Sequence, residues 1–268
     1  MQQQVMMELD NQNYHSNEAN RHFMSVSQFK RFIECEARAV AELKGEFTRP
    51  PSSALLVGSY LHAAIESEQA FTEFFEKEQD SIMNTRGNKY APFIQADEMI
   101  EAVKSDPFMM FALTGDKEVI MTGEILGTQW KIKVDNINHQ RGFFSDLKST
   151  QELGKRYWSE KYNGWVSFVQ AYDYILQMYV YQEIIRQNTG RIYTPYIVAV
   201  TKESPPDKAV LHFNPSRFDF ERDYIEQLLP STVEVKQGKK TPQRCDKCEY
   251  CRGTKQLKNS FEIEYLLD

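Results

Sequence analysis

The sequence predicts an α/β (α+β) fold, and three observations indicate it. In Thr128–Asp135 apolar and polar side chains alternate, which is typical of a strand with one buried face. After a polar loop that ends on Gly142, Phe143–Lys148 runs back as a second strand. The long helical pattern of Val166–Arg186 then precedes a buried apolar strand, Tyr193–Val200. This order of strand, hairpin, helix and strand predicts a sheet with helices packed against it.

The segments before this hairpin are mostly helical. Ser25–Leu43 is predicted to be one helix that contains Cys35, because apolar residues recur along one face after a serine cap. Ala54–Phe75 is predicted to be a second helix, Lys77–Pro92 a polar loop, and Val119–Glu124 the first strand of the sheet. Shorter patterns predict helices at Phe93–Val103, Pro107–Leu113 and Pro215–Leu229 and a strand at Ala209–Phe213.

The chain is predicted to form one large domain with two peripheral ends. Residues 1–24 contain many Gln, Asn and Glu and few apolar residues, so we expect a flexible arm. Residues 25–252 form the domain, and residues 253–268 form a C-terminal tail.

Composition and charge limit the possible classes of protein. Of the 268 residues, 41% are hydrophobic and 26% are charged, as in an ordinary globular protein. The net charge of −6 argues against a broad basic surface for nonspecific nucleic-acid binding, but a local basic track remains compatible with it. No long apolar run and no signal peptide are recognisable, so we expect a cytoplasmic protein, in the bacterial host if it is phage-encoded.

Two acidic residues of the predicted hairpin are candidate metal ligands. Asp135 and Asp146 lie on neighbouring strands, which are about 4.8 Å apart, so their carboxylates can converge on one Mg²⁺ or Mn²⁺ ion. Lys148 leaves the same face as Asp146 and can position or deprotonate a metal-bound water. Glu124 is a candidate further ligand. A surface ion pair on an amphipathic hairpin would have the same short pattern and remains an alternative.

Two predicted helices contribute further candidates. His62 follows Gly58 by four residues on the helix before the hairpin and could reach a metal ion or a phosphate. Gln177 and Tyr181 are also four residues apart, so their neutral donors share one helix face. A structural histidine and an interior helix with two polar groups are the respective alternatives.

Candidate DNA-binding residues combine cations with aromatic rings in and after the hairpin. Cations bind phosphates and rings stack on unpaired bases, although an exposed helix with lysines lying along its surface would have a similar composition. The candidates are Lys131, Lys133, Lys155, Arg156, Tyr157 and Trp158.

The cysteines form the strongest metal-binding pattern in the sequence. Cys245, Cys248 and Cys251 lie within seven residues and can bind one ion or cluster through their thiolates. Disulfides are the less expected use in a reducing cytoplasm. A fourth ligand must come from elsewhere, and Cys35 is the remaining cysteine of the chain.

The order Asp135, Asp146-Leu147-Lys148 and Gln177-x-x-x-Tyr181 resembles the core of the PD-(D/E)XK nucleases, and most closely their RecB/RecE-like exonuclease branch. The likeness covers roughly Ser25 to Arg252. It implies a central mixed β-sheet flanked by helices. It further implies that Asp135, Asp146, the Leu147 carbonyl and His62 hold Mg²⁺ or Mn²⁺, that Lys148 activates or positions the attacking water, and that Gln177 and Tyr181 position the DNA strand.

One N-terminal and three C-terminal cysteines resemble the iron–sulfur subgroup of these nucleases, which includes AddB-type helicase–nucleases. The resemblance implies that Cys35, Cys245, Cys248 and Cys251 bind a [4Fe-4S] cluster that staples the two ends of the domain together. The spacing between Cys248 and Cys251 is shorter than is usual in that subgroup, so Zn²⁺ remains an alternative.

The same resemblance implies a Mg²⁺-dependent, phage-type exonuclease that resects linear double-stranded DNA from 5′ to 3′ during recombination. Its expected partners are double-stranded DNA ends, single-stranded DNA and a single-strand annealing protein, and a homo-oligomer is also expected. A structure-specific or restriction-type endonuclease on the same core is one alternative. A catalytically inactive nucleic-acid-binding protein with a zinc knuckle is another.

Overall fold

The computed structural model describes residues 7–50, 52–257, 259–260 and 262–263. Within them, one sheet contains β1 (Asp116–Ile125), β2 (Thr128–Asn138), β3 (Phe143–Thr150), β6 (Thr194–Thr201) and β7 (Lys208–His212), side by side in that order. A separate ribbon contains β4 (Tyr157–Ser159) and β5 (Gly164–Val166). The helices are α1 (Asn17–His22), α2 (Val26–Glu34), α3 (Glu36–Lys44), α4 (Ser53–Glu66), α5 (Glu68–Ile82), α6 (Ala91–Lys104), α7 (Pro107–Ala112), α8 (Phe168–Ala171), α9 (Tyr174–Thr189), α10 (Arg217–Lys236) and α11 (Glu249–Gly253).

The main sheet is mixed, and this confirms the predicted fold class. β1, β2 and β3 are antiparallel neighbours, β6 lies parallel to β3, and β7 returns antiparallel to β6. The parallel pair requires a crossover, which α8 and α9 provide. Asp146 lies beside Ile197 in this parallel pair, so the candidate site is in the middle of the sheet.

Helices cover both faces of the sheet, and the side-chain alternation of β6 shows this most directly. Ile197 and Ala199 belong to the core on one face, where α2, α9 and α10 pack. Val198 and Val200 belong to the core on the opposite face, under α4, α6 and α7. Because both faces are buried, β6 is an uninterrupted apolar run, as central parallel strands commonly are.

Three predicted helices are interrupted. The predicted helix Ala54–Phe75 divides at Ser67, whose backbone is extended, into α4 and α5. The other two interruptions lie near candidate sites. The predicted helix Ser25–Leu43 divides at Cys35, whose backbone is extended with φ of −168°. The predicted helix Val166–Arg186 divides before α9 at Asp173, a non-glycine residue with φ of +57°. The predicted loop Lys77–Pro92 is shorter than expected, since α5 continues into it.

The N-terminal arm differs from the prediction of a flexible segment. Ala19 and Met24 are fully buried, because their side chains pack within the domain. The Met24 N–H donates to the Gln129 carbonyl at 2.8 Å and the Met24 carbonyl accepts from the Lys131 N–H, so the arm extends along β2. Residues 1–6 of the predicted arm, and residues 258, 261 and 264–268 of the predicted tail, lie outside the described residues. Among the helices that are described, none combines the length and apolar composition of a membrane span.

Candidate active site and cysteine site

Asp135 and Asp146 lie next to each other where β2 and β3 begin to separate. The last paired residues of this ladder are Asn136 and Ser145, so the two aspartates occupy the adjoining position. The Leu147 N–H donates to Oδ2 of Asp135 at 3.3 Å, which brings the Asp135 carboxylate against β3. The predicted convergence of the two carboxylates is therefore present in the fold.

The environment of this pair disfavours two negative charges without a cation. Asp146 is only 2% exposed. Burial raises the pKa of Asp135, and the charge of Asp146 raises it further, while His62 and Lys148 oppose this, so the Asp135 pKa is about 6. The buried carboxylate of Asp146 and the partly buried one of Asp135 form a hard oxygen donor set. These residues therefore fit a hard divalent ion such as Mg²⁺ or Mn²⁺.

Lys148 supplies positive charge directly at the acidic pair. Its Nζ lies 2.5 Å from Oδ2 of Asp146 and 4.8 Å from the centre of the Tyr174 ring. Burial lowers the pKa of Lys148, but the charges of Asp146 and Asp135 together raise it above its ordinary value. The side chain is therefore an ammonium donor in this arrangement, and it faces the carboxylates as predicted.

One face of α9 lines the candidate site. Tyr174, Gln177 and Tyr181 are three and four residues apart in succession, so they lie along one face. Nε2 of Gln177 donates to Oδ1 of Asp146 at 2.5 Å. The Tyr181 ring stacks 6.5 Å from that of Phe144, and burial raises the pKa of Tyr181 well above its ordinary value. Tyr181 therefore remains a neutral phenol.

His62 approaches the same pair from α4. This helix starts after Ser52, whose side chain accepts a hydrogen bond from the Leu55 N–H. Nδ1 of His62 lies 3.3 Å from Oδ2 of Asp135, and the His62 side chain is 32% exposed. Gly58 is one turn earlier, and a Cβ at that position would meet no atom within 4 Å. The helix surface beside His62 is therefore open to a substrate.

The structure corrects the choice of a third acidic residue. Glu124 is exposed and pairs with Gln129, whereas Val119 pairs with Val134 beside Asp135. At about 3.3 Å per residue, Glu124 is therefore roughly 17 Å along β1 from the level of Asp135. It cannot be a ligand of the ion that Asp135 and Asp146 would share.

Glu118 is the acid of β1 that lies near the site. The pairs on either side, Lys117 with Asn136 and Val119 with Val134, keep one register, so Glu118 lies opposite Asp135. Its φ of +53° interrupts the regular strand backbone at this position. The charge of Glu118 raises the pKa of Asp135, which indicates their proximity. Sequence reasoning missed Glu118 because the predicted strand began only at Val119, whereas β1 begins at Asp116. It also missed Tyr174, although the three-residue spacing between Tyr174 and Gln177 predicts that they share a helix face.

The predicted DNA-binding residues have different surroundings. Lys131 is only 2% exposed, and its Nζ donates to the Tyr14 carbonyl and to Asn20, so it does not present its charge to DNA. Lys133 forms an ion pair with Glu118. Tyr157 is half-buried in β4, whereas the other three candidates are exposed: Lys155, Arg156 and Trp158. These four residues lie at the β4–β5 ribbon, not on a helix.

The four cysteines come together, as predicted. Sγ of Cys35 lies 3.5 Å from Sγ of Cys251 and 3.8 Å from Sγ of Cys248, and all four sulfurs are within 4.8 Å of one another. The break between α2 and α3 makes this possible, because Cys35 is extended and points out of the helical path. The cluster therefore joins the N-terminal helices to the segment that contains Cys245, Cys248 and Cys251.

The polar surroundings of the cluster favour thiolates. Burial raises the pKa of the Cys245 thiol, but the N–H groups of Cys248 and Lys247 more than offset this, so the Cys245 pKa is about 6. The Cys251 N–H donates to the sulfur of Cys248 at 3.4 Å. Burial raises the pKa of Cys35 to about 12, so this thiol needs a cation in order to ionise.

The sulfur spacing fits one tetrahedral ion. Four sulfurs that are each about 2.3 Å from a tetrahedral zinc ion lie roughly 3.8 Å apart. The observed closest distances of 3.5, 3.8 and 4.0 Å have this size. A [4Fe-4S] cluster binds each thiolate through a different iron, which requires a wider arrangement. The four cysteines could bind metal, and these distances are compatible with a single tetrahedral ion.

Comparisons with known proteins agree with this geometry. Residues 25–254 match the family model described as "PDDEXK-like domain of unknown function (DUF3799)". The crystal structure of a protein from Eubacterium rectale named "Putative exonuclease" has a TM-score of 0.92 and 35% sequence identity, covering 97% of this chain and 98% of that chain. A structure named SSO0001 covers 84% of this chain and 91% of that one, but its TM-score of 0.30 and 12% identity support no inference. No curated protein matches.

The family model spans most of the chain, including each residue of the acidic pair, Lys148 and the four cysteines. The mixed sheet with helices on both faces is the architecture expected of that family. The chain therefore belongs to the PDDEXK-like family DUF3799.

Proposed function

We propose that this protein is a metal-dependent deoxyribonuclease that degrades linear double-stranded DNA from its ends. The observation that carries the proposal is the contact of Lys148 and Gln177 with Asp146, directly beside Asp135. Membership of a PDDEXK-like family supports nuclease chemistry. The name of the relative from Eubacterium rectale supports action on DNA ends.

In the proposed mechanism, side chains of the protein bind the metal ion, orient its ligands and hold the attacking water or a phosphate oxygen. Asp135, Asp146, the Leu147 carbonyl and His62 would hold Mg²⁺ or Mn²⁺, which when bound neutralises phosphate charge and lowers the pKa of a water. Gln177 holds the Asp146 carboxylate in orientation. Because Lys148 is a charged donor, it would hold the attacking water or a phosphate oxygen. Water adds to phosphorus as the bond to the leaving oxygen breaks.

The test compares DNA topologies. With Mg²⁺ or Mn²⁺, the protein is expected to degrade a linear duplex and to leave a covalently closed circle intact. Asp146→Asn should abolish degradation. Asp97→Asn is the matched control, because Asp97 bonds to Tyr60 and Lys89 instead of the candidate site. Cleavage of the closed circle would identify an endonuclease, and equal activity of Asp146→Asn would exclude this site.

We further propose 5′-to-3′ resection in recombination, together with a single-strand annealing protein. This finer assignment is supported by the likeness of the motifs to the RecE-like branch. A linear duplex labelled at its 5′ ends should release the label in short products early in digestion. Early release of a 3′ label instead would reverse the polarity.

For the cysteine site we propose one zinc ion, because the sulfurs are spaced for a single tetrahedral metal. Elemental analysis of protein purified without oxygen should give about one zinc per chain, and the protein should be colourless. Several irons per chain with absorption in the visible range would identify the iron–sulfur cluster instead.

A further inference from the structure

Two tryptophans stand in solvent on the β4–β5 ribbon, and nothing in the candidate chemistry uses them. Trp158 is 58% exposed and Trp165 is 65% exposed. They are cross-strand partners, and their ring centres are 5.9 Å apart in an edge-to-face arrangement. Single exposed rings are common, but adjoining exposed rings form an apolar patch, and such patches often mark binding surfaces. The pair is therefore a candidate contact surface for a flat or apolar ligand.

An aromatic series connects the inner face of the ribbon to the candidate active site. Tyr157 precedes Trp158 in β4, and its ring lies 5.4 Å from that of Tyr172. The Tyr172 ring lies 5.9 Å from that of Tyr174. The Tyr174 ring in turn lies 4.8 Å from Nζ of Lys148. This line of rings ends at Tyr157, and Trp158, as the next residue of the strand, projects from the opposite face of the ribbon.

The turn of the ribbon is fixed by largely buried ion pairs. Nζ of Lys161, in the turn between β4 and β5, lies 2.9 Å from Asp173 and 2.6 Å from Glu221. Glu221 is fully buried, and Tyr162 also donates to it. Because the turn is attached to both α10 and the start of α9, the two tryptophans are held in place relative to the site.

The charges around the ribbon suit a strand with phosphates. Lys155 and Arg156 are exposed immediately before β4, and Nζ of Lys155 lies 5.5 Å from the centre of the Tyr157 ring. Two exposed acids, Glu152 and Glu160, lie in the same segment. Cations beside rings on a fixed ribbon form the combination that binds single-stranded nucleic acid, through phosphates and stacked bases.

We propose that Trp158 and Trp165, on the outer face of a ribbon whose inner face packs toward the candidate active site, form a stacking platform for unpaired bases of DNA. This inference rests on the proposed nuclease function and names its substrate more closely, as a DNA end with an unpaired strand. Duplex bases are already stacked on each other, so a blunt end would gain little from the platform.

Tryptophan fluorescence tests the platform directly, because the chain contains three tryptophans and the third, Trp130, is fully buried. The measurement uses a Lys148→Met background, which prevents cleavage without a chelator that would also strip the cysteine site. Titration with oligo(dT) should quench the emission. In Trp158→Ala/Trp165→Ala the quenching should disappear, and affinity measured by anisotropy of labelled oligo(dT) should fall about tenfold or more.

Two further variants separate stacking from misfolding. Trp158→Phe/Trp165→Phe keeps rings at both positions and should retain most of the affinity. Ile192→Ala removes an exposed apolar side chain that is 73% exposed and precedes β6, at the opposite end of the β3–β6 pair, and should bind normally. Unchanged affinity of the double alanine variant would overturn the proposal and leave the ribbon as a surface for a protein partner.

The proposal and the nuclease assignment can fail separately. If the protein with Lys148 intact cleaves no DNA but oligo(dT) still quenches the two exposed tryptophans, the platform stands and the nuclease function falls. If linear duplex is degraded while the double alanine variant digests overhanging and blunt ends in the wild-type ratio, the platform is wrong. We expect the double alanine substitution to lower the digestion rate about tenfold more on overhanging ends than on blunt ends.

Discussion

Gln177 is the side chain through which α9 acts on the acidic pair. Its amide donates to Oδ1 of Asp146, and Lys148 faces the other oxygen. Outer partners of this kind hold a ligand in the orientation that a metal requires, and their loss commonly costs 10–100-fold in metal affinity or activity. We therefore expect Gln177→Leu to raise the Mn²⁺ concentration for half-maximal DNA cleavage by about tenfold or more.

A matched control lies on the same helix. Gln187 is ten residues further along α9 and bonds to the backbone of Glu124 instead of the candidate site. Gln187→Leu should lower stability without changing the Mn²⁺ dependence. An equal shift in both variants would show that α9 as a whole, and not the amide of Gln177, determines metal binding.

Lys236 is a buried cation for which the pH dependence of stability can be stated. Burial and, to a smaller extent, the charge of Lys131 together lower its pKa from the ordinary value to about 7. Between that value and the unfolded pKa of about 10.4 the unfolded chain binds more protons, so the free energy of unfolding rises with pH. Below the folded pKa both states are protonated, so Lys236 adds no pH dependence to the free energy of unfolding there.

Removal of Lys236 should flatten this pH dependence. Between pH 7 and pH 9, the free energy of unfolding measured with urea should rise by about 1 kcal/mol more in the native protein than in Lys236→Met, after allowance for solvent screening. The comparison cancels other groups that titrate in this range, such as the thiols. An equal gain in the two proteins would mean that the Lys236 ammonium is adequately solvated by the Phe23 carbonyl and Gln28 that it contacts.

At the scale of elements, periodicity predicted most of the fold and the positions of the acidic pair. The alternating pattern of β2, the returning strand β3 and the apolar run of β6 are all confirmed as strands. The features that were missed depend on non-local contacts. The break at Cys35 has no proline or glycine, and sequence alone cannot show that its thiol is drawn to the C-terminal cysteines.

The choice between Glu124 and Glu118 failed for a related reason. Both residues are acids in or next to the predicted first strand, and simple alternation gives no reason to prefer Glu118. Its position opposite Asp135 follows from the register of the β1–β2 hairpin, in which Lys117 pairs with Asn136 and Val119 with Val134. That register depends on the turn that joins the two strands, so alternation within either strand alone does not specify it.

Gly58 gives a stability prediction for α4. It lies in the helix interior, where glycine is disfavoured by roughly 0.5–1 kcal/mol relative to alanine. A Cβ there would meet no atom within 4 Å. Gly58→Ala should therefore raise the melting temperature, by roughly 1–4 °C for a protein of this size. A lower melting temperature would contradict the open surface beside His62.

The same variant reports on the use of that surface. If DNA passes beside His62, the added methyl group should weaken cleavage although the protein is more stable. Ser59→Ala, on the next residue of α4, is the control for a small change in helix composition. A gain in stability with unchanged cleavage in both variants would place the DNA elsewhere.

At the scale of the whole molecule, the cysteine site joins parts of the chain that are far apart in sequence. Cys35 follows α2, whereas Cys245, Cys248 and Cys251 come after the last strand and α10. The two helix layers on the sheet would each pack without this contact, since their cores do not include the cysteines. The site therefore closes the domain instead of forming its core.

Loss of the metal at this site should destabilise the whole domain. A crosslink across about 200 residues removes much entropy from the unfolded chain, and stabilisation of about 2–5 kcal/mol is expected from such a closure. Cys35→Ser should melt roughly 5–15 °C below the native protein. A thiol-competitive chelator should lower the native melting temperature to that of Cys35→Ser and leave the variant unchanged.

Asp146→Asn separates this effect from the candidate active site, because it keeps all four thiols and should respond to the chelator as the native protein does. Contacts that do not involve metal also link the two ends: the Ala37 N–H donates to the Gln243 carbonyl at 2.9 Å, and Arg38 lies 3.5 Å from Glu249. If Cys35→Ser has the same melting temperature as the native protein, these contacts suffice to hold the ends together. The cysteine site would then serve a purpose other than stability.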